Sequence, residues 1–154
     1  MKLFLRMRST QSKSTRNRKA FCNELHAKYD QLAKKASTKH LELLGFKVSE
    51  PENKYIQDLI AERDDQSFMV ETEVKLIWKG DVFPYYTIQL PQRKEKFFLR
   101  KTLFYIWNEP LTHAATFWSH KIKHLKPVEV HNKYIHKGEF FYQIPLELVK
   151  FIKL

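Results

Sequence analysis

The chain has 154 residues, 43% of them hydrophobic and 14% aromatic, with only three glycines, six prolines and one cysteine. That composition excludes a disordered chain, a repeat architecture, an intramolecular disulfide and a cysteine-rich zinc site, and no apolar run approaches the roughly 18 residues of a membrane span. Lys and Arg outnumber Asp and Glu by 28 to 17, for a net charge of +11, a surplus that favours a polyanionic partner, most simply nucleic acid.

In chain order, residues 1–15 read as a basic arm and 16–154 as a single domain. The first 23 residues carry seven Lys/Arg, five Ser/Thr and no acid, a composition shared with organelle transit peptides. Leu3-Phe4-Leu5 is too short for the apolar core of a signal peptide. From Arg16 to Leu44 apolar residues (Phe21, Leu25, Tyr29, Leu32, Ala33, Ala36, Leu43, Leu44) recur at helical steps, with Ser37-Thr38 as a break and Gly45 as the stop. Arg16, Arg18 and Lys19 at its start are candidate phosphate-backbone contacts. Phe46-Lys47-Val48 then reads as a short strand.

The next stretch concentrates acid in an apolar context. Tyr55 to Ala61 and Phe68 to Ile77 read as two strands, and Arg63-Asp64-Asp65-Gln66 is the turn of a hairpin. A turn centred on Asp64-Asp65 sets Asp58 directly across from Glu71, about 5 Å away, with Glu73 on the diagonal at about 7–8 Å. Strand alternation places Glu71, Glu73 and Lys75 on one face and Val70, Thr72, Val74 and Leu76 on the other. Like charges opposed on a sheet repel, and a divalent cation in the gap relieves them. Mg²⁺ suits such a site because it takes oxygen ligands, one or two carboxylates among them. The plainer alternative is an ordinary solvated face of an antiparallel hairpin, against which Asp58 stands out by interrupting an apolar strand.

Beyond Trp78, Lys79-Gly80-Asp81 is a turn and Phe83 to Leu90 a third long strand. Lys101 to Trp107 has the composition of a buried strand. His120 and His124, four residues apart, could share one helix face, but neither an HExxH pattern nor a nearby cysteine accompanies them, so chance spacing or a basic nucleic-acid face is the better reading. Val128–His131, Phe140–Ile144 and Val149–Ile152 read as short terminal strands with core aromatics.

A helix ending in LELLGFKV, followed by QDLIAERDDQSFMVETEVK, resembles the core of the PD-(D/E)XK nuclease superfamily, in particular the small archaeal-type Holliday junction resolvases. The resemblance spans about residues 28–78, a third of the chain, through short and degenerate motifs. It implies a restriction-endonuclease-like α/β fold: a mixed central sheet with the long N-terminal helix packed on it. Asp58 matches the motif aspartate, and an ungapped hairpin puts Glu71 at the motif glutamate. The usual lysine position is then Glu73, a departure from the family pattern; the alternative register, Glu73-Val74-Lys75, restores the lysine at the cost of a bulge. Both registers stay open. Asp58, Glu71, Glu73 and Lys75 are therefore the candidate catalytic residues, the three acids the candidate metal ligands. Asp30 is the candidate additional acid from the first helix, ahead of Glu24. Gln92, Arg93 and Lys94, just after a long strand, are expected to contact the phosphate backbone.

The implied activity is that of a Mg²⁺-dependent (or Mn²⁺-dependent) DNA endonuclease, acting on duplex or branched DNA. A two-strand cut calls for a second subunit, so a homodimer is among the expected assemblies. The alternative is a non-catalytic nucleic-acid-binding protein that retains the fold, with ExE marking a decayed site. A nucleotide enzyme is poorly served, since three glycines supply no phosphate loop. The lone Cys22 and the lack of a signal segment point to a reducing, cytoplasmic or nucleoid-associated location, and the compact, glycine-poor, basic chain suits a virus or mobile element.

Overall fold

A computed structural model describes residues 24–53, 56–132 and 135–154. Helix α1 occupies 24–43 and turns Ala33, Ala36 and Leu41 inward. No break occurs at Ser37-Thr38: the buried Ser37 hydroxyl accepts a hydrogen bond from Trp107 Nε1 at 2.8 Å, so it does not compete for its own helix backbone. The helix stops where the sequence indicates. Gly45 takes φ +91°, its N–H bonds to the Glu42 carbonyl at 2.9 Å, and the Phe46 N–H bonds to Leu41 at 3.0 Å. This pairing ends helices at a left-handed glycine, and the accompanying apolar contact is supplied by Leu41 and Phe46 in the same core.

Nine strands follow among the described residues: β1 Lys47–Ser49, β2 Leu59–Arg63, β3 Gln66–Lys75, β4 Thr87–Pro91, β5 Thr102–Asn108, β6 His113–Trp118, β7 Val128–Asn132, β8 Ile135–Pro145 and β9 Lys150–Lys153. A 3-10 helix, Gln92–Leu99, separates β4 from β5, and a one-turn helix α2, Ser119–Ile122, follows β6. A six-stranded sheet runs in the order β1-β2-β3-β5-β6-β9; a three-stranded sheet runs β4-β8-β7. In the large sheet only β3 and β5 are parallel neighbours. The chain is thus mixed α/β, with the N-terminal helix packed on a mixed sheet.

Every residue of β5 is buried. Leu103, Tyr105 and Trp107 meet α1, while Phe104 and Ile106 meet the small sheet through Ile88, Leu90, Tyr142 and Ile144. A strand covered on both faces reads as a continuous apolar run, which is why this one was legible.

Several expected elements differ. The strand expected over Tyr55–Ala61 begins only at Leu59. Just before it, the buried Gln57 Nε2 donates to Thr102 Oγ1 at 2.6 Å, and the Asp58 carboxylate takes the Thr72 N–H that a continuing strand would have bound. The strand expected over Phe83–Leu90 starts at Thr87 and belongs to the small sheet; Pro84 has no N–H to give a ladder, and Phe83 packs on Trp78 and Phe151 instead. His120 and His124 do not share a helix face, because His113–Trp118 is strand and α2 ends at Ile122. Phe140, expected in the core, is 45% exposed, whereas Tyr142 and Ile144 are buried.

Candidate active site

The hairpin register is the one its turn dictates: Arg63 pairs with Gln66, and Leu59 with Val70. Because β2 starts at Leu59, β3 beyond Val70 has β5 on one side and an open edge on the other. A depression of about 700 Å³ lies along that edge, bounded by α1 and by the 3-10 helix. It gathers Asp58, Glu71, Glu73 and Lys75 from the hairpin, Asp30 from α1, and Arg93 and Lys94 from the 3-10 helix. Both faces of β3 reach it, since Thr72 and Val74 line it too.

Asp58 is held by its partner strand: the Thr72 N–H donates to Asp58 Oδ2 at 2.9 Å. An extended residue sends its N–H and C=O to the same side, so the Thr72 carbonyl also faces this edge. Thr72 Oγ1 is buried with no protein hydrogen-bond partner. Glu71, only 8% exposed, receives a hydrogen bond from Lys94 Nζ at 2.5 Å. Its pKa is nevertheless pushed up to about 7, first by burial and then by the charge of Asp58; Lys94 pulls it back, and a hydrogen bond with Asp58 raises it again. Burial also raises Asp30, helped by the charge of Asp58 and opposed by His26, Lys94 and Lys34. Asp30 and Glu71 thus both sense the charge of Asp58 across one hollow.

Lys75 is turned toward the far end of the depression, its Nζ 4.0 Å from Glu73 Oε1 and donating to the Gln89 carbonyl at 3.2 Å. Lys94, expected on phosphate, sits on Glu71, and Arg93 lines the hollow beside it. Glu24 does not line the hollow. Arg16, Arg18 and Lys19, and the 1–15 arm, lie outside the described residues. Two polar lining residues, His26 and Thr72, are not among the candidates the sequence offers. His26 stands one helical turn before Asp30, an i, i+4 spacing that signals a shared face; Thr72 was assigned to the opposite face of its strand, with no signal for its backbone role.

Among the described residues, no three His, Cys, Asp or Glu side chains are grouped so that they would hold a metal by themselves. A hard cation that keeps its waters does not need such a cage. Asp58, Glu71 and the Thr72 carbonyl are all oxygen donors, the set Mg²⁺ uses when substrate phosphate completes its shell. Burial and the charge of Asp58 push the Glu71 pKa up even with Lys94 beside it, so a divalent cation between the two acids would relieve their repulsion. The residues fit the ion. No protein-family model matches the chain, and neither does any curated protein sequence.

Proposed function

We propose that the chain is a metal-dependent endonuclease of the PD-(D/E)XK type, hydrolysing phosphodiester bonds of DNA in the hollow beside β3. The observation that carries this reading is the forced meeting of Asp58 and Glu71 at an open strand edge, with Lys94 and Arg93 beside them in a chain of net charge +11. Asp58, Glu71 and the Thr72 carbonyl would hold Mg²⁺ or Mn²⁺, with Glu73 or Asp30 reaching it through water. Bound there, the ion supplies charge neutralisation at the scissile phosphate and acidifies a water.

The chain's own groups do the rest. The Thr72 N–H fixes Asp58 through Oδ2, and the Asp58 side chain lines the hollow. Glu71, whose pKa burial and the charge of Asp58 push up to about 7, has to give up its proton before it can act as a ligand, so metal uptake is expected to weaken as the pH falls. Lys94 is carried on a 3-10 helix whose next residue, Glu95, accepts a hydrogen bond from the Tyr142 hydroxyl at 2.6 Å. Its backbone is therefore anchored while its ammonium can swing from Glu71 to a phosphate oxygen, the task a lysine after the motif glutamate would otherwise perform. Arg93 is placed to bind a neighbouring phosphate as a bidentate donor.

The test is cleavage of a panel of linear duplex, supercoiled plasmid, single strand and four-way junction with Mg²⁺, Mn²⁺ or EDTA, wild type beside Asp58→Asn. Metal-dependent cutting is expected in the wild type alone, with DNA binding kept or tightened in the variant. Binding lost together with cutting would count against a metal-site role for Asp58.

One observation favours a second reading, a nucleic-acid-binding protein with a decayed site: Lys94 already neutralises Glu71 at 2.5 Å. Under that reading neither Mg²⁺ nor Mn²⁺ stabilises the fold, whereas a competent site gains stability by mass action.

A further inference from the structure

The hollow over the carboxylates does not end at Lys75. Lys75 and Ile77 also line a second depression of about 420 Å³, walled by Phe83, Tyr85 and Tyr86. Tyr86 is 94% exposed, Ile77 58% and Tyr85 48%. The shelf is nonetheless braced, since Phe83 meets Trp78 edge-on at 5.2 Å and Tyr85 at 5.9 Å, and Trp78 is fully buried. On the other side of the carboxylates, Asp58 lines a smaller hollow with Lys34, and Lys34, 3.9 Å from Glu50, continues with Lys35 and Lys39 into a groove between α1 and β1 that Glu42 and Glu50 also line. Aromatic rings, carboxylates and lysines therefore follow one another along a single trough.

We infer that this trough takes an unpaired strand of nucleic acid, with a base stacked on Tyr85 and Tyr86 and phosphates following Lys34, Lys35 and Lys39. Rings beside a phosphate-binding hollow are useful only to a base whose face is free; in a duplex the faces are buried in the stack and only edges and phosphates are offered. Along β3 the distance from Glu71 to Lys75 is roughly 13 Å at strand rise, so the stacked base belongs to a nucleotide near the one whose phosphate lies over the carboxylates. The shelf is continuous with that hollow through Lys75, a cation, which suits a nucleotide better than an apolar protein surface. This inference takes the position of the scissile phosphate from the nuclease reading; strand preference itself does not depend on cleavage.

The test is fluorescence anisotropy of the full chain in EDTA with labelled oligodeoxyuridine, oligouridine and a hairpin duplex. Wild type is compared with a Tyr85→Ala/Tyr86→Ala double variant and with Tyr86→Phe. Single strands are expected to bind more tightly than the duplex, and the tighter of the two names the preferred sugar. The double alanine variant is expected to lose roughly tenfold or more in single-strand affinity, with duplex affinity and melting temperature unchanged and Tyr86→Phe close to wild type. Duplex binding as tight as single-strand binding overturns the inference, as does undiminished single-strand binding by the double variant. A change in sedimentation of the nucleic-acid-free protein without a change in strand affinity would make the shelf a protein interface, and also overturns it. Because every arm is read without metal, loss of the strand preference and loss of Mg²⁺-dependent cleavage are separate results.

Discussion

Glu71→Gln removes a charge that the fold holds at a cost, so it should stabilise the metal-free protein. Glutamine has the shape of the protonated side chain and keeps an acceptor for Lys94. The native pKa rises from the ordinary 4.5 to about 7 with the Lys94 contribution included. At about 1.4 kcal/mol per pH unit, ionised Glu71 costs about 3 kcal/mol in the fold. The native state holds a proton that the unfolded chain has released between these values. The favourable contribution is therefore complete below 4.5 and disappears as the pH rises through about 7. In EDTA at about pH 8 the variant should melt roughly 6–12 °C above wild type, at 2–4 °C per kcal/mol for a chain of this size. At about pH 5 the difference should largely vanish. Saturating Mg²⁺ should narrow the gap from the other side by stabilising wild type and not the variant. Differential scanning fluorimetry across pH, with and without metal, reads all of this. A variant no more stable than wild type above neutral pH, or a gain that does not change with pH, would refute the reasoning.

Lys94→Ala removes the ammonium that lowers the Glu71 pKa, so the midpoint of the pH-linked stability change should move to higher pH in the same melts. It also removes a cation that competes for the carboxylate, so Mn²⁺ should bind more tightly while metal-dependent cleavage falls; unchanged cleavage would remove Lys94 from the mechanism. Ser37→Ala leaves the buried Trp107 Nε1 without its acceptor, which should cost about 1–3 kcal/mol in denaturant unfolding with cleavage retained. A loss under a few tenths of a kcal/mol would mean that water replaces the hydroxyl.

The parts of the site legible in the sequence are those fixed by local geometry. A two-residue turn at Asp64-Asp65 determines every pairing in the hairpin, so the opposition of Asp58 and Glu71 follows from counting. Gly45 could be read as the helix stop because its conformation is a property of the residue. Lys94 could not be placed in the same way. It reaches Glu71 from 23 residues away, on a 3-10 helix whose position depends on the small sheet and on Tyr142. The same limit explains Phe83–Leu90: its apolar composition is real, but the first half packs as loop aromatics on Trp78 and only Thr87–Pro91 pairs as a strand. The fate of Thr72 depended on where β2 begins, and that boundary was set by the side chains of Gln57 and Asp58 rather than by strand propensity.

The most direct test of a metal centre at Asp58 and Glu71 is titration of the metal-free full chain with Mn²⁺, followed by electron paramagnetic resonance. A single site per chain is expected in the wild type, displaced by excess Mg²⁺ and abolished by Asp58→Asn. Failure of the wild type to take up Mn²⁺ at millimolar concentration, or binding undiminished in Asp58→Asn, would contradict it.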